Sequence, residues 1–142
     1  LVRFDYLALQ TVNIGQSSSA PGAALPVDVV WLPQPSDYRD TYLARWQLRD
    51  HRGAVQQQWE LPLGSWAYPS GVWPAGIPVR QPLALPLAPT TPPGDYALTL
   101  QVIRNGDGTP LTPLIPWQQR WWGSQTITQS GETVRLADVR VE

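Results

Sequence analysis

Tyr42-Leu43-Ala44-Arg45-Trp46-Gln47-Leu48-Arg49 is the stretch on which the fold turns. It lies inside Ser36 to Leu61, the best helical candidate among the proline-free windows. Tyr42, Ala44, Trp46 and Leu48 alternate with Leu43, Arg45, Gln47 and Arg49, whereas a helical stripe begun at Leu43 and Trp46 runs into Asp50 and Gly53. Period two predicts a strand. Proline disfavours helix over the rest of the chain. There are 16 Pro in 142 residues, and each one inside a helix costs about 3 kcal/mol, so few windows can hold a helix.

The same alternation recurs in Val2 to Leu9, in Leu25 to Leu32 with Leu25, Val27, Val29 and Trp31 on one face, and in Val55 to Leu61. It returns in Val79 to Leu87, Tyr96 to Ile103 and Thr133 to Val141, which makes seven candidate strands. Turn chemistry separates most of them: Pro21-Gly22, Asp50 to Gly53, Pro92 to Asp95 and Asn105 to Gly108. Two local irregularities carry structural predictions. Pro82 and Pro86 would each remove a ladder donor, so their strand belongs at a sheet edge or is broken. Val134 and Leu136 are out of phase with Val139 and Val141, which predicts a β-bulge near Ala137.

These elements predict one all-β domain over residues 1–142, an immunoglobulin-like antiparallel β-sandwich of about seven to nine strands. Two long aromatic-rich loops, Pro62 to Pro78 and Thr112 to Gly131, complete it. A chain of this length buries roughly 70% of its unfolded surface, so a core forms without disulfides, and Cys is absent. The charged fraction is 15%, the formal net charge is −1, and all ten basic residues are Arg, scattered singly. No face is basic enough to track phosphates, so nucleic acid is not an expected partner. No apolar run approaches the ~18 residues that span a bilayer, and the amino terminus lacks the regions of a signal peptide. With no Met and a bulky Leu1 at its start, the chain is expected to be a fragment excised from a larger protein.

Several motifs in order resemble a known family. They run from Pro21-Gly22 through Leu25-Pro26-Val27 to Trp31, then Leu48 to Gly53, Tyr68-Pro69, Trp73 to Gly76, Leu83 to Leu87, Pro93-Gly94-Asp95-Tyr96 and Val134-Arg135-Leu136. The pattern resembles the extracytoplasmic β-sandwich module at the carboxyl end of multi-spanning bacterial membrane glycosyltransferases of the mannosyltransferase-like superfamily, as in Chloroflexus-type bacteria. Pro93-Gly94-Asp95-Tyr96 is its most informative piece, because a Tyr after a tight turn at the start of a late strand looks like the tyrosine corner of immunoglobulin-like sandwiches. The resemblance implies an accessory domain on the outer face of a bacterial membrane, with the parent membrane protein or another envelope component as partner. Pro113 to Ser130, which holds Trp117, Trp121 and Trp122, departs from the family's usual form.

Catalysis needs a base poised beside a nucleophile, but the one imidazole, His51, sits in a turn, and Ser17 to Ser19 lie in a polar loop without a nucleophile elbow. Glu60 with Asp37 or Asp40 would be the carboxylate pair for glycoside hydrolysis, and nothing in the sequence brings them together. No acidic cluster has calcium-loop spacing. The residues therefore predict no catalytic set, no metal and no cofactor.

Tryptophan remains, in eight copies. Trp31, Trp46 and Trp59 have strand neighbours that place them in the core, and Tyr96 is read as structural as well. Trp66, Tyr68 and Trp73 share one loop, and Trp117, Trp121 and Trp122 share the other. Such loop aromatics either plug an open end of the sandwich or form a ligand platform. Three functions follow: an accessory module of a larger membrane enzyme, a carbohydrate-binding module stacking sugars on the loop aromatics, and a protein-interaction or proteinase-inhibitor-like sandwich using the stiff Pro69 to Pro78 segment.

Overall fold

The computed structural model describes residues 2–15, 18–37, 40–114, 121–122, 125–126 and 128–142, and for 121–122, 125–126 and 128 the backbone alone. Its strands in chain order are β1 Val2–Phe4, β2 Leu7–Ile14, β3 Ser18–Ser19, β4 Ala24–Pro33, β5 Tyr42–Arg49, β6 Val55–Pro62, β7 Val79–Pro86, β8 Gly94–Arg104, β9 Trp121–Trp122, β10 Gln125–Thr126, β11 Thr128–Ser130 and β12 Thr133–Val141. One sheet has the order β1-β2-β4-β7, and the facing sheet has the order β11-β12-β8-β5-β6 with β3 parallel to β12. β9 and β10 pair with each other. The chain is an all-β sandwich.

Alternation in sequence becomes burial in space. Leu25, Val27, Val29 and Trp31 of β4 are buried, and so are Tyr42, Ala44, Trp46 and Leu48 of β5, which meet Leu98, Leu100 and Val102 of β8 in one apolar cluster. Phe4 packs edge-on against Trp31 with ring centroids 6.3 Å apart. The predicted bulge is present: Arg135 faces Thr99 and Ala137 faces Leu98, so Leu136 is the inserted residue. Leu136 and Ala137 are consecutive buried residues, which is what reverses the phase of β12.

β7 is an edge strand, as its prolines require. The backbone N–H of Leu87 donates to the Ala23 carbonyl, so the odd-numbered residues of β7 face β4 and the even-numbered ones face outward. Pro82 and Pro86 thus occupy positions whose missing N–H takes no ladder bond away. The tyrosine-corner bond is also made: the Tyr96 hydroxyl donates to the Pro92 carbonyl at 2.6 Å. Tyr96→Phe removes only that bond and is expected to lower unfolding stability by about 1 kcal/mol, read as a shift in urea midpoint at unchanged slope.

Three expectations need correcting. Val2 to Leu9 is not one strand. Its inward residues slip from even (Val2, Phe4) to odd (Leu7, Leu9), and Asp5 takes a left-handed φ of 56° to turn the chain between β1 and β2. A further register shift at Gln10 carries β2 on to Ile14. Thr112 to Gly131 is not loop throughout, since β9, β10 and β11 lie within it. Trp59 is half-buried rather than central: it packs against the core from β6, an edge strand with one neighbour among the described residues, and its indole donates to the Pro86 carbonyl at 3.1 Å. Among the described residues, no helix is long and apolar enough to cross a membrane.

Candidate functional site

The segment between β6 and β7 contains no charged residue from Pro62 to Pro78, and its backbone closes on itself. Ser65 and Tyr68 exchange N–H to carbonyl bonds of 3.3 and 3.1 Å, Gly64 and Pro69 form an antiparallel bridge, and the Ser70 N–H donates to the Leu63 carbonyl at 3.2 Å. Leu63 to Ser70 is therefore a miniature hairpin with Trp66 and Ala67 at its tip. The Ser65 hydroxyl accepts a further bond from the Tyr68 N–H. A short 3₁₀ helix, Ser70–Val72, then delivers Trp73 to the base of the hairpin.

Closure depends on Gly64. Its φ is +84°, and a Cβ there would lie 2.2 Å from the Tyr68 carbonyl oxygen and 3.0 Å from Trp73 Cζ2. Trp73 fills the base completely, at 0% exposure, and its indole donates to the Tyr68 carbonyl at 3.0 Å. The rest of the end of the sandwich grips the same loop. The Leu63 N–H donates to the Tyr42 carbonyl, the Gly76 N–H donates to the Pro33 carbonyl, and Gln81 Nε2 donates to the Pro62 carbonyl. From the β1–β2 turn, the Tyr6 hydroxyl donates to the Asp40 carbonyl at 2.8 Å, with the Ser70 carbonyl at 3.2 Å as second acceptor. The Tyr42 hydroxyl donates to the Asp5 carboxylate at 2.6 Å. Burial first, and then that bond, pushes the Tyr42 phenol well above its usual range, so it stays a donor at every ordinary pH.

The predicted aromatic trio is thus split in two. Trp73 is buried and plugs the base of the hairpin. Trp66 stands 95% exposed at the tip, and Tyr68, 44% exposed, leans on Trp73 with ring centroids 6.4 Å apart. Val72 and Ile77 on the same loop are exposed as well. Trp117 lies outside the described residues, and Trp121 and Trp122 form β9, described by backbone alone. The bracing side chains Tyr6, Tyr42 and Gln81 were not legible as site residues, because each comes from a different strand or turn far away in sequence.

An open groove of about 740 Å³ lies at the other end of β5, lined by Arg49, His51, Asp95, Thr99, Arg135 and Asp138 among others. Several of its groups already have partners within the protein. Arg135 pairs with Asp138, the Arg49 guanidinium donates to Gln47 and to the Gly53 carbonyl, and the Thr99 hydroxyl donates to the Gln47 carbonyl. Asp50 accepts from the Arg52 and Ala54 amides and from Gln56, and these bonds hold its carboxyl below the usual carboxylate range against the opposing effect of desolvation. His51 is exposed in its turn. Glu60 is bound to Arg45 at 2.8 Å and Asp40 to Arg104 at 3.5 Å, so these carboxylates answer to separate arginines. Among the described residues, no three His, Asp or Glu side chains group in a way that could hold a metal ion.

No protein family's sequence profile matches the chain, and no curated protein matches it.

Proposed function

We propose that the domain is a non-catalytic accessory module that docks through the Trp66 hairpin. The observation that carries this reading is a large indole held almost entirely in solvent on a hairpin pinned by a buried Trp73 and by bonds from four separate segments. Exposing a Trp forgoes the burial of its roughly 150–250 Å², and ordering a loop in advance reduces the entropy lost on binding. Together they describe a preorganised aromatic anchor of the kind that dominates binding energy.

The tip favours a protein surface over a glycan. Stacked sugars need polar groups beside the ring, and for these the loop has no charged side chain, only hydroxyls such as those of Ser65 and Tyr68. The family resemblance supplies the setting: the larger protein would be a membrane-anchored, glycosyltransferase-like enzyme, with this module on the extracytoplasmic face positioning or stabilising it. An immunoglobulin-like reading of the sandwich is supported by the order β2-β4-β7 opposite β12-β8-β5-β6, by the parallel β3–β12 pairing and by the Tyr96 corner.

Trp66→Ala is expected to weaken binding to the remainder of the parent protein at least tenfold, with thermal stability unchanged because the indole contributes little to the core. Equal binding by wild type and variant would remove the reading. Carbohydrate binding is the second reading, favoured by the pairing of Trp66 with a half-exposed Tyr68 on one hairpin. A saturable fluorescence change with glycans, lost in Trp66→Ala, would put it first.

A further inference from the structure

We propose that β6 is a self-association edge, through which two copies of this chain join antiparallel about a two-fold axis at Trp59. The long edges of the sandwich are treated very differently. β7 carries Pro82 and Pro86 at its outward positions, and β1 is covered where Arg3 exchanges both backbone bonds with Leu114. β12 is flanked by β11 and β3. Among the described residues β6 pairs only with β5, and its eight residues include no proline before the last and no lysine. The β6 register shift lies at Gln56, leaving Gln57 to Leu61 regular, and a regular edge free of proline and lysine pairs with further strands.

Which groups of β6 point outward follows from its register. The Leu63 N–H donates to the Tyr42 carbonyl, so the pairs Ala44–Leu61, Trp46–Trp59 and Leu48–Gln57 are the bonded ones and Gln58 and Glu60 aim their N–H and C=O groups away from β5. Pro62, next in that series, has its carbonyl capped by Gln81 Nε2. Between the register shift at Gln56 and Pro62, the outward groups therefore number two donors and two acceptors, with no backbone partner among the described residues.

A second copy is the occupant this set fits. Placing Trp59 opposite Trp59 of the other copy sets Gln58 opposite Glu60 and Glu60 opposite Gln58, two bonded pairs that satisfy all four outward groups on each chain. The side-chain faces match as well. The polar face that holds Arg45, Gln47, Gln58 and Glu60 continues across the axis, and the half-buried Trp59 rings meet on the other face. Glu60, already paired with Arg45, meets no second carboxylate.

The test is sedimentation equilibrium of the whole chain from the micromolar to the millimolar range. Wild type is expected to dimerise reversibly. Gln58→Pro deletes an outward N–H, together with the side-chain bond that Gln58 accepts from Gln47, and is expected to abolish the dimer, with far-ultraviolet circular dichroism unchanged. Because proline could also disturb β6 itself, two charge variants that leave the backbone intact probe the register. Gln58→Glu sets like charges opposite at both symmetric positions and is expected to raise the dimer dissociation constant, while Gln58→Arg sets opposite charges there and lowers it, each by roughly three- to tenfold. A wild type that stays monomeric at millimolar concentration overturns the proposal, and so does a dimer whose strength ignores both charge variants.

Discussion

Trp46→Ala is expected to be the most destabilising single truncation in this domain, with a loss of about 3–5 kcal/mol. Trp46 sits mid-strand on β5, the strand hydrogen-bonded to both β6 and β8, and it is 1% exposed. Neighbours on either side are held by the ladder, so the space left by the indole cannot close by moving one strand, and the cavity term is added to the lost transfer energy. Set against a total stability of about 5–15 kcal/mol, that loss removes much of the margin. Its indole N–H is buried with no hydrogen-bond partner among the described residues, so Trp46→Phe forfeits area but no bond and should lose far less. Urea unfolding of both variants checks this. Similar losses for Phe and Ala would mean that the site collapses around any smaller ring.

The second large effect is local. Gly64→Ala is expected to open the Trp66 hairpin, because the new methyl would meet a backbone oxygen at 2.2 Å rather than a side chain able to swing aside. Opening displaces Trp73, whose roughly 150–250 Å² of buried surface is worth about 4 kcal/mol or more at about 25 cal/mol/Å². Gly53→Ala is the control. Gly53 has nearly the same φ, +81°, but nothing lies within 4 Å of its Cβ position, so that variant bears only the left-handed strain of about 1–2 kcal/mol. Hydrogen exchange separates the two: in Gly64→Ala the Tyr68 and Ser70 amides should lose protection while the β5–β8 ladder keeps it. Retained protection at Tyr68 would show that the hairpin does not depend on this glycine. Docking through Trp66 should fall together with that protection.

Burial direction was legible where a strand has one face on the core and the other nearer solvent, as in β4 and β5, because side chains alternate with a period of two and water selects one set. The edge placement of β7 followed from Pro82 and Pro86, since a missing donor is tolerated only where no ladder bond is due. The bulge in β12 followed from a phase reversal written into Leu136 and Ala137. The same kind of reversal, between Phe4 and Leu7, marks the β1–β2 turn, and reading Val2 to Leu9 as one alternating run passed over it. These are local statements, settled by residues within one strand of each other.

Trp66 and Trp73 show where local reasoning ends. They lie seven positions apart in one uncharged segment with similar neighbours, yet one is almost wholly in solvent and the other has no exposed surface. What separates them is a hairpin closed at Gly64 and held by Tyr6, Tyr42, Pro33 and Gln81. By itself, the sequence determined that the chain is built of strands, and which side of β4 and β5 faces inward, because both follow from spacing along the backbone. Only the tertiary structure decided which aromatic ring is plug and which is anchor, and which edge stays open, because those outcomes rest on groups far apart in the chain that meet only once the sheets have packed.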